Sequence, residues 1–93
     1  MFSVETTSRF DSEWEEILDF VAKDSVENAL NFYDQIMDKL KALSENPFMY
    51  RQRAGMDSNI REMIYKGYTI PYLIDSDDNT VYVLGIFNQN QWV

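Results

Sequence analysis

Two helical stripes set almost end to end constrain this chain more than any other feature. Phe10, Trp14, Ile17, Leu18 and Val21 recur at helical spacing and line one face of an α-helix. Asp11, Glu15, Glu16 and Asp19 fall on the opposite, solvated face. A second stripe, Val26, Ala29, Leu30, Tyr33, Ile36, Met37, Leu40 and Leu43, holds the same period for about five turns. Only the neighbourhood of Ala22 to Asp24 separates the two, so an antiparallel helical hairpin is expected. Ser8 or Ser12 can cap the first helix, each with an acid three residues on, and Asp24 with Glu27 can cap the second. Lys39 and Lys41 suit the negative end of the second helix, and Asn46-Pro47 stops it.

Strands flank this hairpin. Phe2 to Thr7 opens with alternating apolar residues and reads as a short strand. Phe48 to Asn59 loses periodicity, contains Gly55 and reads as a loop carrying Arg51 and Arg53. Ile60 to Tyr65 and Tyr68 to Ile74 are strand-like runs, joined by Lys66-Gly67 in a tight turn where glycine tolerates positive φ. Pro71 cannot donate to a ladder, so an edge position or a bulge is expected there. Asp75 to Asn79 is a polar turn. Thr80 to Phe87 is apolar on both faces, the mark of a strand covered on both sides. The order is β-α-α-β-β-β, an α+β fold in which the hairpin packs on a mostly antiparallel four-stranded sheet, all within one domain of residues 1–93.

Composition narrows the chemistry. The chain has neither Cys nor His. That excludes disulfides, thiolate nucleophiles, Cys/His zinc sites and imidazole acid–base catalysis. Asp75, Asp77 and Asn79 could begin a calcium loop, but Thr80 stands where glycine is needed and Ile86 where the bidentate glutamate should be. Paired carboxylates such as Glu15-Glu16 and Asp77-Asp78 lie on exposed faces or turns, and the sequence has no phosphate-cradling glycine loop. No metal, cofactor or catalytic group is assigned. The start of the chain lacks the pattern of a signal peptide and no run is long enough to span a membrane, so a cytoplasmic location is expected.

Charge is one-sided. Sixteen acidic against eight basic residues give a net charge of −8, which disfavours general binding to phosphate backbones. Residues 1–50 carry 11 of the acids, whereas Arg51, Arg53, Arg61 and Lys66 face only Asp57 and Glu62 within their own stretch. They form a candidate basic face for an acidic partner or a phosphate. The segment Asn88, Gln89, Asn90, Gln91 and Trp92 follows the last strand with four amides and an indole, groups suited to neutral hydrogen bonds and docking rather than to proton transfer.

In their order, these segments resemble the RelE/ParE superfamily of toxins from type II toxin–antitoxin modules. The residues concerned are Ser8-Arg9-Phe10, Glu16-Ile17, Phe20-Val21, Asn28-Ala29 and Asn46-Pro47, then Ile60-Arg61-Glu62, Lys66-Gly67-Tyr68, Tyr72 to Asp75 and Val83-Leu84-Gly85-Ile86. The resemblance implies a toxin held inactive by a cognate antitoxin. RelE-like members cleave mRNA on the ribosome, and ParE-like members inhibit DNA gyrase without catalysis. RelE-type cleavage implies an arginine on the second strand, matched by Arg61, and basic, His or Tyr residues after the last strand. Here Asn88 to Gln91 occupy that region, so the resemblance leans to the ParE-like branch. The alternatives are a RelE-like nuclease with a divergent site and a non-toxic binding module on the same fold. Arg51, Arg53, Arg61, Lys66, Tyr68 and Asn88 to Trp92 are the expected target- or antitoxin-binding residues. Because the hairpin is acidic, the antitoxin segment crossing it is expected to be an amphipathic helix that is basic or apolar.

Overall fold

Thr7 starts the first helix in this computed structural model, which describes residues 1–57 and 59–88. Its extended backbone lets Oγ1 accept the Phe10 N–H at 3.2 Å, satisfying one of the N–H groups that a helix start leaves open. Helix α1 spans Ser8–Asp24 and α2 spans Val26–Glu45, with Ser25 alone between them. Ser25 serves both. Its N–H closes α1 on the Val21 carbonyl, and its Oγ accepts the Asn28 N–H of α2 at 3.1 Å. The caps expected at Ser8 or Ser12 and at Asp24 are therefore replaced by Thr7 and Ser25, because those are the hydroxyl residues where the backbone is extended. Helix α2 also runs to Glu45, so Lys39 and Lys41 fall short of its last turn. Asn46 ends it, with its N–H on the Ala42 carbonyl.

The hairpin buries Phe10 and Trp14 of α1 and Ala29, Phe32, Ile36, Leu40 and Leu43 of α2. Trp14 lies against Phe32 and Tyr33 at centroid distances of 5.3 and 6.3 Å. The second stripe read from the sequence is thus divided. Phe32 joins the core, while Val26, Leu30 and Tyr33 stay exposed, because α2 is apolar on two faces and the sheet takes one of them.

The sheet contains β1 (Ser3–Thr6), β2 (Ile60–Tyr65), β3 (Tyr68–Asp75), β4 (Thr80–Val83) and β5 (Phe87–Asn88). Its order is β1-β4-β3-β2, with β5 also pairing β3; β1 is parallel to β4 and the other pairings are antiparallel. Five strands replace the expected four because the run from Thr80 to Phe87 is interrupted. Tyr72 pairs with Val83 and Thr69 with Phe87, so three residues, Leu84, Gly85 and Ile86, stand opposite two, Ile70 and Pro71. This is the bulge that Pro71 calls for. Pro71 lies in the central strand with its nitrogen toward the gap, and its carbonyl accepts the Leu84 N–H at 2.9 Å. The slip of one residue sends Ile86 into the core and Phe87 to the other face. Helix α1 reinforces the gap: Glu13 accepts the Ile86 N–H at 3.1 Å, and the Thr7 hydroxyl lies 3.0 and 3.1 Å from the Val83 and Leu84 carbonyls.

Lys66 and Gly67 connect β2 to β3 with φ values of 50° and 83°. Positive φ at both positions of a two-residue loop matches the twist of a hairpin. The helices cover one face of the sheet. On the other, Thr69, Pro71, Thr80 and Phe87 are buried without a second layer of helix or sheet among the described residues. No helix of the described residues is long and apolar enough to cross a membrane.

Candidate functional site

Alternation along β2 sends neighbouring charges to opposite faces of the sheet. Arg61 lies on the side of Tyr72, its partner in register. Its Nη1 donates to the Tyr50 carbonyl at 2.6 Å and to the Phe48 carbonyl at 3.4 Å, with the guanidinium 5.3 Å from the centre of the Phe48 ring. Beside it, the Tyr72 hydroxyl donates to the Pro47 carbonyl at 2.7 Å. Burial pushes the Tyr72 phenol up from 10.0 to about 12, against the opposing pull of Arg61. Together the two side chains clip residues 47–50, the segment leaving α2, onto the sheet.

Glu62 points the other way. Its carboxylate meets Arg53 at 3.1 Å and Arg51 at 3.5 Å, and Arg53 also lies 5.4 Å from the centre of the Phe87 ring. Backbone bonds from Arg53 to Ile60 and from Glu62 to Arg51 hold this loop along the edge of β2. The candidate basic face is therefore divided three ways. Arg51 and Arg53 share Glu62 on the outer face, Arg61 binds carbonyls on the helix side, and Lys66 stands at the hairpin turn.

Lys66, Tyr68 and Asn88 do come together, since Tyr68 pairs with Asn88 beside the turn. A groove of about 450 Å³ opens there between α2 and β3. Gln35 of α2 is its hub. Its Oε1 accepts from the Tyr65 hydroxyl at 2.7 Å and from Lys66 Nζ at 3.0 Å. Asn28, Asn31 and Phe32 continue the lining along α2. Sequence reading missed this helical side of the groove. The signal was present in the spacing of Asn28, Asn31 and Gln35, one carboxamide stripe on an amphipathic helix. Gln89, Asn90, Gln91 and Trp92 lie outside the described residues.

A second depression, of about 230 Å³, lies between the helices and is lined by Leu18, Ala22, Val26, Leu30 and Tyr33 with Asp19 at its side. Val26 and Leu30, which line it, are 64% and 61% exposed, a marked apolar surface for a chain so acidic. The Asp75–Asn79 segment forms a turn, in which an Asp75 carboxylate oxygen accepts the Asp78 N–H at 3.1 Å. Among the described residues no group of three acidic, His or Cys side chains is placed to hold a metal.

Comparison with known proteins gives a consistent picture. A family model described as the ParE toxin of the type II toxin–antitoxin system parDE matches residues 4–92. No curated protein matches the sequence. Among solved structures, a chain of the chromosomal ParDE toxin–antitoxin system from P. aeruginosa is 19% identical with a TM-score of 0.76, over 95% of this chain and 96% of that one. The isolated E. coli RelE toxin is 15% identical with a TM-score of 0.71, over 99% of this chain and 88% of its own. A chain of the intact E. coli RelBE complex is 17% identical with a TM-score of 0.72, over 98% and 100%. At these identities the structural likenesses establish the fold.

Proposed function

Because the chain belongs to the ParE toxin family, and so is a type II toxin–antitoxin toxin of the RelE/ParE superfamily, we propose that it arrests growth by binding DNA gyrase in the cytoplasm, without catalysing a reaction, and that a cognate antitoxin neutralises it. The observation that carries this reading is the engagement of Arg61. Cleavage of RNA through a ribose 2′-OH needs a base, a cation on the scissile phosphate and a proton donor to the leaving oxygen. Arg61, the residue in the RelE-like catalytic position, is taken up by the Tyr50 and Phe48 carbonyls. Its neighbour Tyr72 is held protonated, with its hydroxyl donated to Pro47. Arg51 and Arg53 carry Glu62 between them. Such an arrangement supports a binding surface rather than a phosphoryl-transfer centre.

The apolar face of the hairpin supports an antitoxin of matching chemistry. Val26, Leu30 and Tyr33 form an exposed row on α2, flanked by Asp19, Glu27 and Asp34. A helix with an apolar face and basic flanks fits that pattern. Leu30→Asp should weaken antitoxin binding by at least about tenfold, since it places a charge where an apolar anchor docks.

The deciding experiment follows DNA and protein synthesis by pulse-labelling after induction, alongside DNA supercoiling by gyrase with the purified chain. An early fall in DNA synthesis, with supercoiling inhibited by the chain and restored by antitoxin, is the expected result. Cleaved transcripts with supercoiling untouched would replace this reading with ribosome-dependent mRNA cleavage. Unchanged growth would leave a binding module on a toxin fold.

A further inference from the structure

The groove at the turn end of α2 has a charge pattern opposite to that of the molecule. The chain carries a net charge of −8, yet among the described residues no carboxylate lines this groove and Lys66 does. Lys39 and Lys66 place their ammonium groups 4.4 and 5.5 Å from the centre of one ring, that of Tyr65. Neither forms an ion pair with a described residue.

Hydrogen-bonding capacity points the same way. Gln35 Oε1 already accepts two bonds, from Tyr65 and Lys66, which fills its lone pairs. What Gln35 has left to offer is its NH₂ group, and Lys66 retains further N–H donors. Asn28 and Asn31 add two more carboxamides on the same side of α2. From Asn28 to Gln35 the helix rises about 10 Å at 1.5 Å per residue, close to the length of three residues of extended chain. Phe32 and Tyr68, 5.5 Å apart between ring centres, supply an apolar wall.

We propose that this groove binds an extended acidic segment of a partner protein. Its backbone carbonyls take hydrogen bonds from the carboxamides of Asn28, Asn31 and Gln35, and a side-chain carboxylate pairs with Lys66. This goes beyond the gyrase reading and does not depend on it. It also separates two surfaces of α2 by charge: the apolar row at Leu30 suits a basic partner, whereas the groove suits an acidic one.

The test titrates the full chain with a capped hexapeptide alternating glutamate and leucine, and with its glutamine–leucine counterpart, read by NMR on side-chain amides. The glutamate peptide should shift the amides of Asn28, Asn31 and Gln35, bind about tenfold tighter than the glutamine peptide and weaken with salt. Lys66→Asn, which tolerates the left-handed backbone at that position, should lower affinity about tenfold. Asn28→Asp combined with Asn31→Asp should abolish binding. The first of these puts an acid at the third position of α2, where it favours the helix, so loss of binding reports the groove rather than the fold. Equal affinity for both peptides, shifts confined to the outer hairpin face or to residues 51–53, or no binding would overturn the proposal. So would binding that appears only once residues 89–93 are removed, which would give the groove to the chain's own end.

Discussion

The edge of β2 and the turn end of α2 both collect cations, and the fold treats them in opposite ways. At β2, each arginine meets an acceptor within its own chain: Arg61 the carbonyls of Tyr50 and Phe48, Arg51 and Arg53 the carboxylate of Glu62. At the turn, Lys66 leans on a neutral carboxamide and Lys39 on an aromatic face. A guanidinium fork matched to fixed acceptors holds a loop in place, whereas an ammonium on a neutral support keeps most of its charge for a visitor. The number of basic residues in a stretch therefore says little about binding until their acceptors are located.

Substitution can break that contrast. Glu62→Ala should have the largest effect, a loss of about 2–3 kcal/mol in urea unfolding, because it removes the largely buried carboxylate that Arg51 and Arg53 share. A change no larger than that of Arg51→Ala would mean the carboxylate is not the anchor of the loop. Arg61→Ala should follow, at about 2 kcal/mol, with residues 47–50 gaining amide exchange as their carbonyls lose a donor.

Tyr72→Phe should remove about 1–2 kcal/mol at neutral pH by leaving the Pro47 carbonyl unpaired. It should also alter the alkaline limb. The folded state holds the Tyr72 proton to about pH 12 and the unfolded chain releases it near 10.0. This contribution is therefore complete below pH 10.0 and is lost as pH rises toward about 12, so Tyr72→Phe should flatten that part of the stability profile. Smallest of all, Arg51→Ala and Lys66→Asn should each stay within about 0.5 kcal/mol of the parent, since Arg51 is 68% exposed and Lys66 lies at a surface turn. A large loss for Lys66→Asn would turn the groove lysine into another clamp and erase the contrast.

Much of the fold could be read from the chain because its signals are local. Lys66-Gly67 specifies its turn, Asn46-Pro47 ends α2, and the stripes define a hairpin whatever lies beneath it. Pro71 even announced the bulge, though the extra residue falls on the neighbouring strand. The misjudged details share a different cause. Thr7, Ser8 and Ser12 are chemically alike, and only the extended backbone at Thr7 decides among them. Helix α2 is apolar on two faces, so periodicity alone could not tell whether Phe32 or Leu30 meets the sheet. Arg61 was harder still. Its partners are backbone carbonyls 11 and 13 residues away, and a carbonyl leaves no trace in a sequence. The groove was half legible, since Lys66 and Tyr68 stood out as candidates but the amides of α2 passed for ordinary helix surface.

The one-residue offset between β4 and β5 works like a gear with a single extra tooth. Ile86, Phe87 and Asn88 are each turned to the face opposite the one that simple alternation from Val83 would give them, which is why Ile86 enters the core and Phe87 meets Arg53. Deleting one residue from Leu84 to Ile86 would therefore do more than shorten a connection. It would exchange the inward and outward sides of β5 and withdraw Phe87 from beneath the guanidinium that rests on it. The facing of β5 is thus timed by three residues in a gap, and it can be reset only in whole steps.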